Sequence, residues 1–270
     1  MYYCLIASLE QYSLSSEPKS IDFEALRSEI LEELTSKDME AVQLLYAYYD
    51  VVNLLNRLSG RDTLHNSLGN LSEEEITAEI EGGDPEDDEP FVSKLPVSVA
   101  YALSVIKGRV EVEDDEAASA VTEEQIEKLL LSNFYVQCEK SHSKYLRAWG
   151  EADRKIRQAC AGESLMGGDA REDFKEEGWW ADLQGVIGTS DFVEREHKMD
   201  ALRWNFALEL LEPGGIDSQM HQFDLAAVMN YLIELNILQR WGTLSKEIGR
   251  ERFEKMVNSF TEKGVVKAQD

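Results

Sequence analysis

Basic side chains are scarce in this chain: 27 Lys and Arg stand against 53 Asp and Glu, for a formal net charge of −26. That balance argues against a main role in gripping nucleic acid, because phosphate binding needs clustered positive charge. It argues equally against direct docking on anionic lipid headgroups. Cysteine is also sparse. Cys4, Cys138 and Cys160 are odd in number, far apart and free of any CxxC pairing, which reads as reduced thiols in a cytosolic protein. Long hydrophobic runs are missing. The longest uncharged stretch, residues 95–106, has 12 residues, short of the ~20 needed to cross a bilayer. The opening MYYCLIASL is apolar but lacks the basic flank of a signal peptide. A soluble, cytoplasmic chain is expected, held at any membrane only through another protein.

Catalytic signatures are missing too. No GxGxxG follows a strand, and GxxxxGK[ST], GxSxG and HExxH do not occur. The 4 histidines leave little material for a His-based metal site. One constellation does have metal-ligand spacing. Glu139 with His142 and Glu194 with His197 are both Glu-x-x-His pairs on predicted helices, the pattern that di-iron carboxylate bundles use twice. Lys140, Lys144, Arg195 and Lys198 beside them read instead as solvated helix faces in a chain rich in glutamate. Glu196 and Asp200, four residues apart, read as partners for Arg203 or water. Neither acidic tract, 84–89 or 111–116, follows the EF-hand spacing. The expectation is no catalytic residue, no cofactor and no metal.

What is present is helical periodicity. Phe23, Leu26, Ile30, Leu31 and Leu34 recur at three and four residues, with Asp22 placed to cap them. Val42, Leu45, Tyr49, Val52, Leu55 and Leu58 form a stripe over a helix at about 37–58, which Gly60 stops. Ser72 with Glu75, and Thr122 with Gln125, are capping boxes. Residues 71–90 hold ten acids and no base, the clearest loop in the chain. A buried helix is predicted over 95–106. From Thr122 to Gly162 the pattern predicts one long helix, or two bent near Gly150. Residues 162–188 read as a glycine-rich excursion, followed by helices at about 191–211, 217–240 and 245–262. Only the first residues, near Tyr2, Tyr3 and Ile6, favour an extended start.

The fold expected is therefore all-α: a long-helix bundle of two to three related helical units after a short extended N-terminal segment. The expected divisions are an N-terminal unit over 1–110 with its acidic loop at 81–90, a central helix and excursion over 111–189, and a C-terminal unit over 190–270. Charge is uneven, since residues 1–132 carry 29 acidic and 9 basic side chains. The most basic stretch holds Lys144, Arg147, Arg154 and Arg157, interleaved with Tyr145 and Trp149. It reads as a partner surface or as internal counter-charge.

Three helical segments place Asp beside aromatic and basic or amide neighbours. They are Tyr49-Asp50 with Asn53, Asp153 with Ile156 at the equivalent of Asn53, and Asp200 with Arg203 and Trp204. The run from Tyr48 to Leu58 resembles the helix motif of the V/A-type ATPase C-subunit (d-subunit) family. The opening MYYCLIASL and the closing run from Asp200 through Phe223 and Asp224 to Trp241 are similar to a bacterial branch, an uncharacterised family encoded in V-type ATPase operons. The resemblance implies three helical units arranged as a cup. It also implies a non-catalytic rotor component of the central stalk, joining the membrane rotor ring to the central shaft during ion transport. Its partners would be the proteins of the ring and the shaft, with no nucleic acid and no direct membrane insertion, and its place the cytoplasmic side of the inner membrane. A cytosolic helical adaptor or assembly factor is the alternative, and a di-iron protein the third reading.

Overall fold

Helix starts follow local capping chemistry. Asp22 accepts from the Ala25 N–H at 3.0 Å and opens α2 (Phe23–Glu32), after α1 (Tyr3–Ser8). Thr35 accepts from the Asp38 N–H and opens α3 (Ser36–Leu58), and Gly60 follows in the left-handed region at φ +70°. Both capping boxes form. Ser72 and Glu75 open α4 (Glu73–Glu81), Pro96 precedes α5 (Val97–Ile106), and Thr122 and Gln125 open α6 (Glu123–Glu139). The remaining helices are α7 (Lys144–Ala161), α8 (Trp180–Ile187), α9 (Phe192–Glu209) and α10 (Leu225–Thr243). The computed structural model describes residues 1–61, 65–83, 91–108, 122–161 and 178–243. Among the described residues the fold is all-α, with no strand.

The chain forms two compact units, one from residues 34–175 and the other from residues 1–33 with 176–270. The expected division points at 110 and 189 fall inside these units.

In the first of them α6 is the central helix, packed against α3, α5 and α7. Val42, Tyr46, Leu54, Val99, Leu130, Leu146 and Ile156 make its core. The buried face of α3 keeps Val42 and Leu45 of the predicted stripe and departs from it further along the helix. Tyr49, Val52, Leu55 and Leu58 are half-buried, while Tyr46, Ala47, Asp50, Val51, Asn53 and Leu54 are buried. The reason is polar: Asp50 and Asn53 turn inward to bond a loop, and apolar periodicity gives such residues no weight. The stretch after Thr122 is two helices, yet the break lies at residues 140–143 and not at Gly150. There the Ser141 Oγ accepts from the Ser143 N–H and the Ser143 Oγ accepts from the Leu146 N–H, so hydroxyls take over the backbone donors. Gly150 lies inside α7, and a Cβ on it would stand 2.9 Å from the Cys138 Cβ. Its bare backbone permits the close approach of α6 and α7.

In the other unit α9 packs on α8 and α10. Val228, Met229, Leu232 and Leu238 carry the core side of α10. The expected extended start is instead the helix α1, which buries Leu5. No strand among the described residues offers it a ladder, so its backbone closes locally. The Tyr2 N–H donates to the Phe223 carbonyl at 2.8 Å, and the Tyr3 and Phe223 rings lie 4.9 Å apart. The glycine-rich excursion ends in α8, whose Trp180, Leu183 and Val186 are buried at three-residue spacing. Residues 162–177 of the excursion, the acidic tracts 84–89 and 111–116, and the helix expected at 245–262 lie outside the described residues. The helix expected from 217 begins at Leu225, because residues 217–224 are held as a loop by His221. Its imidazole lies 2.8 Å from Asp217 and 2.5 Å from Asp224, one carboxylate on each ring nitrogen.

Candidate functional site

The three aspartates singled out by the sequence are all buried, each on a long helix and each held differently. Asp50 on α3 is 2% exposed. It accepts from the Leu71 N–H at 3.0 Å and from the Asn70 side-chain amide at 2.8 Å. One turn on, the Asn53 amide exchanges two bonds with the backbone of Asn66, at 2.7 and 3.0 Å. Together the pair ties the loop at 66–71 down before α4. A Cβ on Gly69 would collide with the Asp50 carboxylate, so the loop needs glycine there. Burial pushes the Asp50 pKa up from the usual carboxylate range, and the donors from Leu71 and Asn70 push back. Tyr49, the remaining residue of this motif, meets the Tyr48 ring edge-on at 5.3 Å between centres and the Tyr46 ring at a tilt at 6.1 Å.

Asp153 on α7 accepts from the Tyr135 hydroxyl of α6 at 2.6 Å and from the Arg157 Nε at 2.8 Å. Arg157 also donates to the Tyr48 hydroxyl of α3 at 2.8 Å and lies over that ring. One chain of polar contacts therefore links three helices. Burial opposes the Arg157 charge, but Asp153, Tyr48 and Tyr135 outweigh it and keep the guanidinium protonated. Burial first, then the nearby Asp153 charge, pushes Tyr135 well up. The neighbouring Cys138 thiol is pushed up to about 12, chiefly by burial. A thiol of that kind is an inert packing group. Ile156, where the first motif has Asn53, belongs to the core.

Asp200 on α9 is also 2% exposed. It pairs with Arg240 of α10, which reaches Glu196 with its other nitrogen, while Arg203 stands 3.5 Å from it. Burial raises the Asp200 pKa and the two arginines oppose the rise. Trp204, one turn along, is buried in the core of this unit. Arg240 is the partner that sequence spacing missed. It lies 40 residues away, and its only signal is its place in the last turn of α10.

Of the basic stretch, Arg157 is engaged by Asp153 and Tyr48. Arg147 donates to the Ser141 carbonyl at 2.5 Å, and Arg154 lies 3.7 Å from Glu139. Lys144 is exposed at the start of α7. The two Glu-x-x-His pairs belong to different units. Glu139 faces Arg154, and His142 stands 3.5 Å from Asp38. Glu194 pairs with Lys198 at 2.8 Å, and His197 stacks on Trp241 at 3.5 Å between ring centres. Among the described residues, no group of three or more His, Cys, Asp or Glu is arranged to hold a metal ion, and no helix is long and apolar enough to cross a membrane.

Comparison with curated proteins and with solved structures found no match. A family model described as "Protein of unknown function (DUF2764)" matches the chain in two segments, residues 1–166 and 163–264. No model of the V/A-type ATPase C-subunit family matches, which corrects the assignment drawn from the Tyr48–Leu58 motif. The physical reason lies in that motif. Asp50 and Asn53 answer a local demand, fastening the next loop to the helix, so the pattern reports local architecture and does not mark one family. Matched over nearly its whole length, the chain belongs to the DUF2764 family of proteins of unknown function.

Proposed function

We propose that the protein is a non-catalytic helical component of a larger protein assembly, and that it passes mechanical load between partners. The observation that carries this reading is the use made of its buried charge. Asp50, Asp153 and Asp200 each fasten one element to another. Buried pairs of this kind fix one arrangement of the helices, because separating the partners strands a charge away from water. Dense helical interiors resist deformation in turn. A part that transmits torque needs that stiffness. The central stalk of a V/A-type ATPase, between the rotor ring and the central shaft, is the assembly we propose. The net charge of −26 supports contact with basic protein surfaces over lipid or nucleic acid.

Affinity purification of the tagged full chain from its native cells, under mild detergent, tests this. Ring and shaft proteins should be recovered with it in fixed stoichiometry. Recovery of neither, with the chain running alone, overturns the central-stalk setting. Recovery with assembly intermediates and absence from the complete motor would favour an assembly factor.

A further inference from the structure

Helix α1 has little reason to form by itself. It has 6 residues, no side-chain cap at Tyr2, no acid in its first turn and no base in its last. Isolated helices shorter than ~12–15 residues are marginal in water. What holds α1 is its seat. At its start the Tyr2 N–H donates to the Phe223 carbonyl at 2.8 Å, and the Tyr3 ring lies against that of Phe223. Leu5 is buried. Beyond its end, the Tyr231 hydroxyl donates to the Glu10 carbonyl at 2.9 Å, and the Tyr12 and Tyr231 rings lie 6.2 Å apart. Phe223 stands just before α10 and Tyr231 in its second turn. Residues 2–10 therefore run alongside the start of α10, fastened at both ends.

The first fastening depends on a proton. Phe223 belongs to the loop at 217–224, where the His221 Nδ1 lies 2.5 Å from Asp224 and its Nε2 2.8 Å from Asp217. A neutral imidazole has one N–H and satisfies one carboxylate; with two, both nitrogens must donate, which is the imidazolium form. Asp224, next to Phe223, also accepts from the Ala226 N–H at 2.9 Å, and the His221 N–H donates to the Leu211 carbonyl at 3.0 Å. One protonated ring thus ties the chain leaving α9, the loop and the start of α10 together, beside the carbonyl that receives Tyr2. We propose that residues 1–9 are a strap over the start of α10, latched by protonated His221 and released when that proton leaves. Without the proton, one ring nitrogen turns a lone pair toward a carboxylate, the loop loosens, and the Phe223 carbonyl is no longer held in place for Tyr2. Helix α1, too short to persist alone, then unwinds from its first residues, with the Glu10–Tyr231 bond as the pivot. The groups facing the latch are Asp217 and Asp224 from its own loop; the chain leaving α9 carries the exposed Glu209 and Glu212, and the strap carries the Met1 α-amino group, Tyr2, Tyr3 and Cys4. At the far anchor Tyr12, Glu234, Glu10 and Glu29 lie around Tyr231. The Asp224 bond raises the His221 pKa and burial opposes it, so the strap is closed at low pH and opens as pH rises. The inference is independent of the central-stalk reading.

Amide exchange of the full chain between about pH 5.5 and 8.5, expressed as protection relative to an unstructured chain at each pH, tests this. Protection at Tyr2 and Ile6, whose N–H groups bond Phe223 and Tyr2, should fall at least about tenfold across that range, while Leu202 and Ala207 in α9 keep theirs. His221→Gln, with no proton to lose, should show the low protection at every pH. Asp217→Asn lies outside the strap, leaves the ring a single carboxylate and should move the transition to lower pH. Glu234→Gln removes another group of this unit that titrates near pH 7 and should leave the transition where it is. Protection at Tyr2 and Ile6 that does not change with pH in wild type overturns the proposal, as does a transition that Asp217→Asn fails to move. A transition abolished by Glu234→Gln also overturns it, since the buried carboxyl would then be the switch. Equal loss of protection in α9 overturns it too, because the whole unit would then be loosening. Any of these results leaves recovery with ring and shaft proteins, and the central-stalk reading, untouched.

Discussion

The Tyr135 hydroxyl meets the Asp153 carboxylate at 2.6 Å across the contact of α6 and α7, both side chains withdrawn from water. Arg157 closes the same carboxylate from its own helix and reaches Tyr48 on α3. Three helices are thus fastened through one negative charge. Asp153→Ala should destabilise this unit by about 3–5 kcal/mol, because it leaves the Arg157 charge without its partner. Tyr135→Phe removes one hydrogen bond to a charged group and should cost about 1.5–3 kcal/mol. Urea titration of the two variants against wild type, followed by tryptophan fluorescence and circular dichroism, measures both.

Gly150 and Cys138 give a second, purely steric test. Adding a Cβ at position 150 places it 2.9 Å from the Cys138 Cβ, which forces the two helices apart. Gly150→Ala should therefore destabilise by about 1–3 kcal/mol, the usual range for an overfilled contact, even though alanine favours helix. Cys138→Gly in the same chain should recover part of that loss. A double-mutant cycle by urea denaturation gives the coupling directly.

Glu234 on α10 sets a pH dependence. It is 8% exposed, its carboxylate accepts only from the Asn230 side chain at 2.8 Å among the bonds described, and burial pushes its pKa up to about 7. The folded pKa lies above the unfolded value of about 4.3. Its contribution to stability is therefore complete below about pH 4 and is lost as pH rises through 7. Glu234→Gln should flatten stability between pH 5 and 8 and raise it at pH 8, by up to the order of 3 kcal/mol. Thermal melts across that range check the sign and the size.

His221 is held between Asp217 and Asp224, and the Asp224 bond is the leading cause that raises its pKa, with burial opposing. The linkage has the same sign. The stabilisation is present below the unfolded value of about 6.5 and fades as pH rises through the higher folded value. His221→Gln should loosen the 217–224 loop most at pH 6, and with it the Tyr2–Phe223 bond. Nuclear magnetic resonance titration of the His221 ring in wild type should show the raised pKa, and amide exchange at Tyr2 should quicken in the variant.

Features decided by neighbours in sequence were legible beforehand. Asp22, Ser72, Glu75, Thr122 and Gln125 cap where their spacing says they should, because a cap needs only the next three residues. Features decided by distant partners were not. Arg240 reaches Asp200 across 40 residues, and Tyr48 meets Arg157 across 109, with no spacing rule to announce either. Buried polar residues also misled the periodicity. Asp50 and Asn53 turned the face of α3, and Ser141 and Ser143 broke a helix whose composition gave no other cause. Asp50, Asp153 and Asp200, which share a sequence pattern, each fasten one element to another within this fold.

The most direct test of the assembly account is native mass spectrometry of the purified full chain mixed with isolated rotor ring and isolated central shaft. The account predicts a stable complex containing all three, with this chain in contact with both ring and shaft. A chain that binds neither ring nor shaft at micromolar concentration, while each still binds the other, would contradict it.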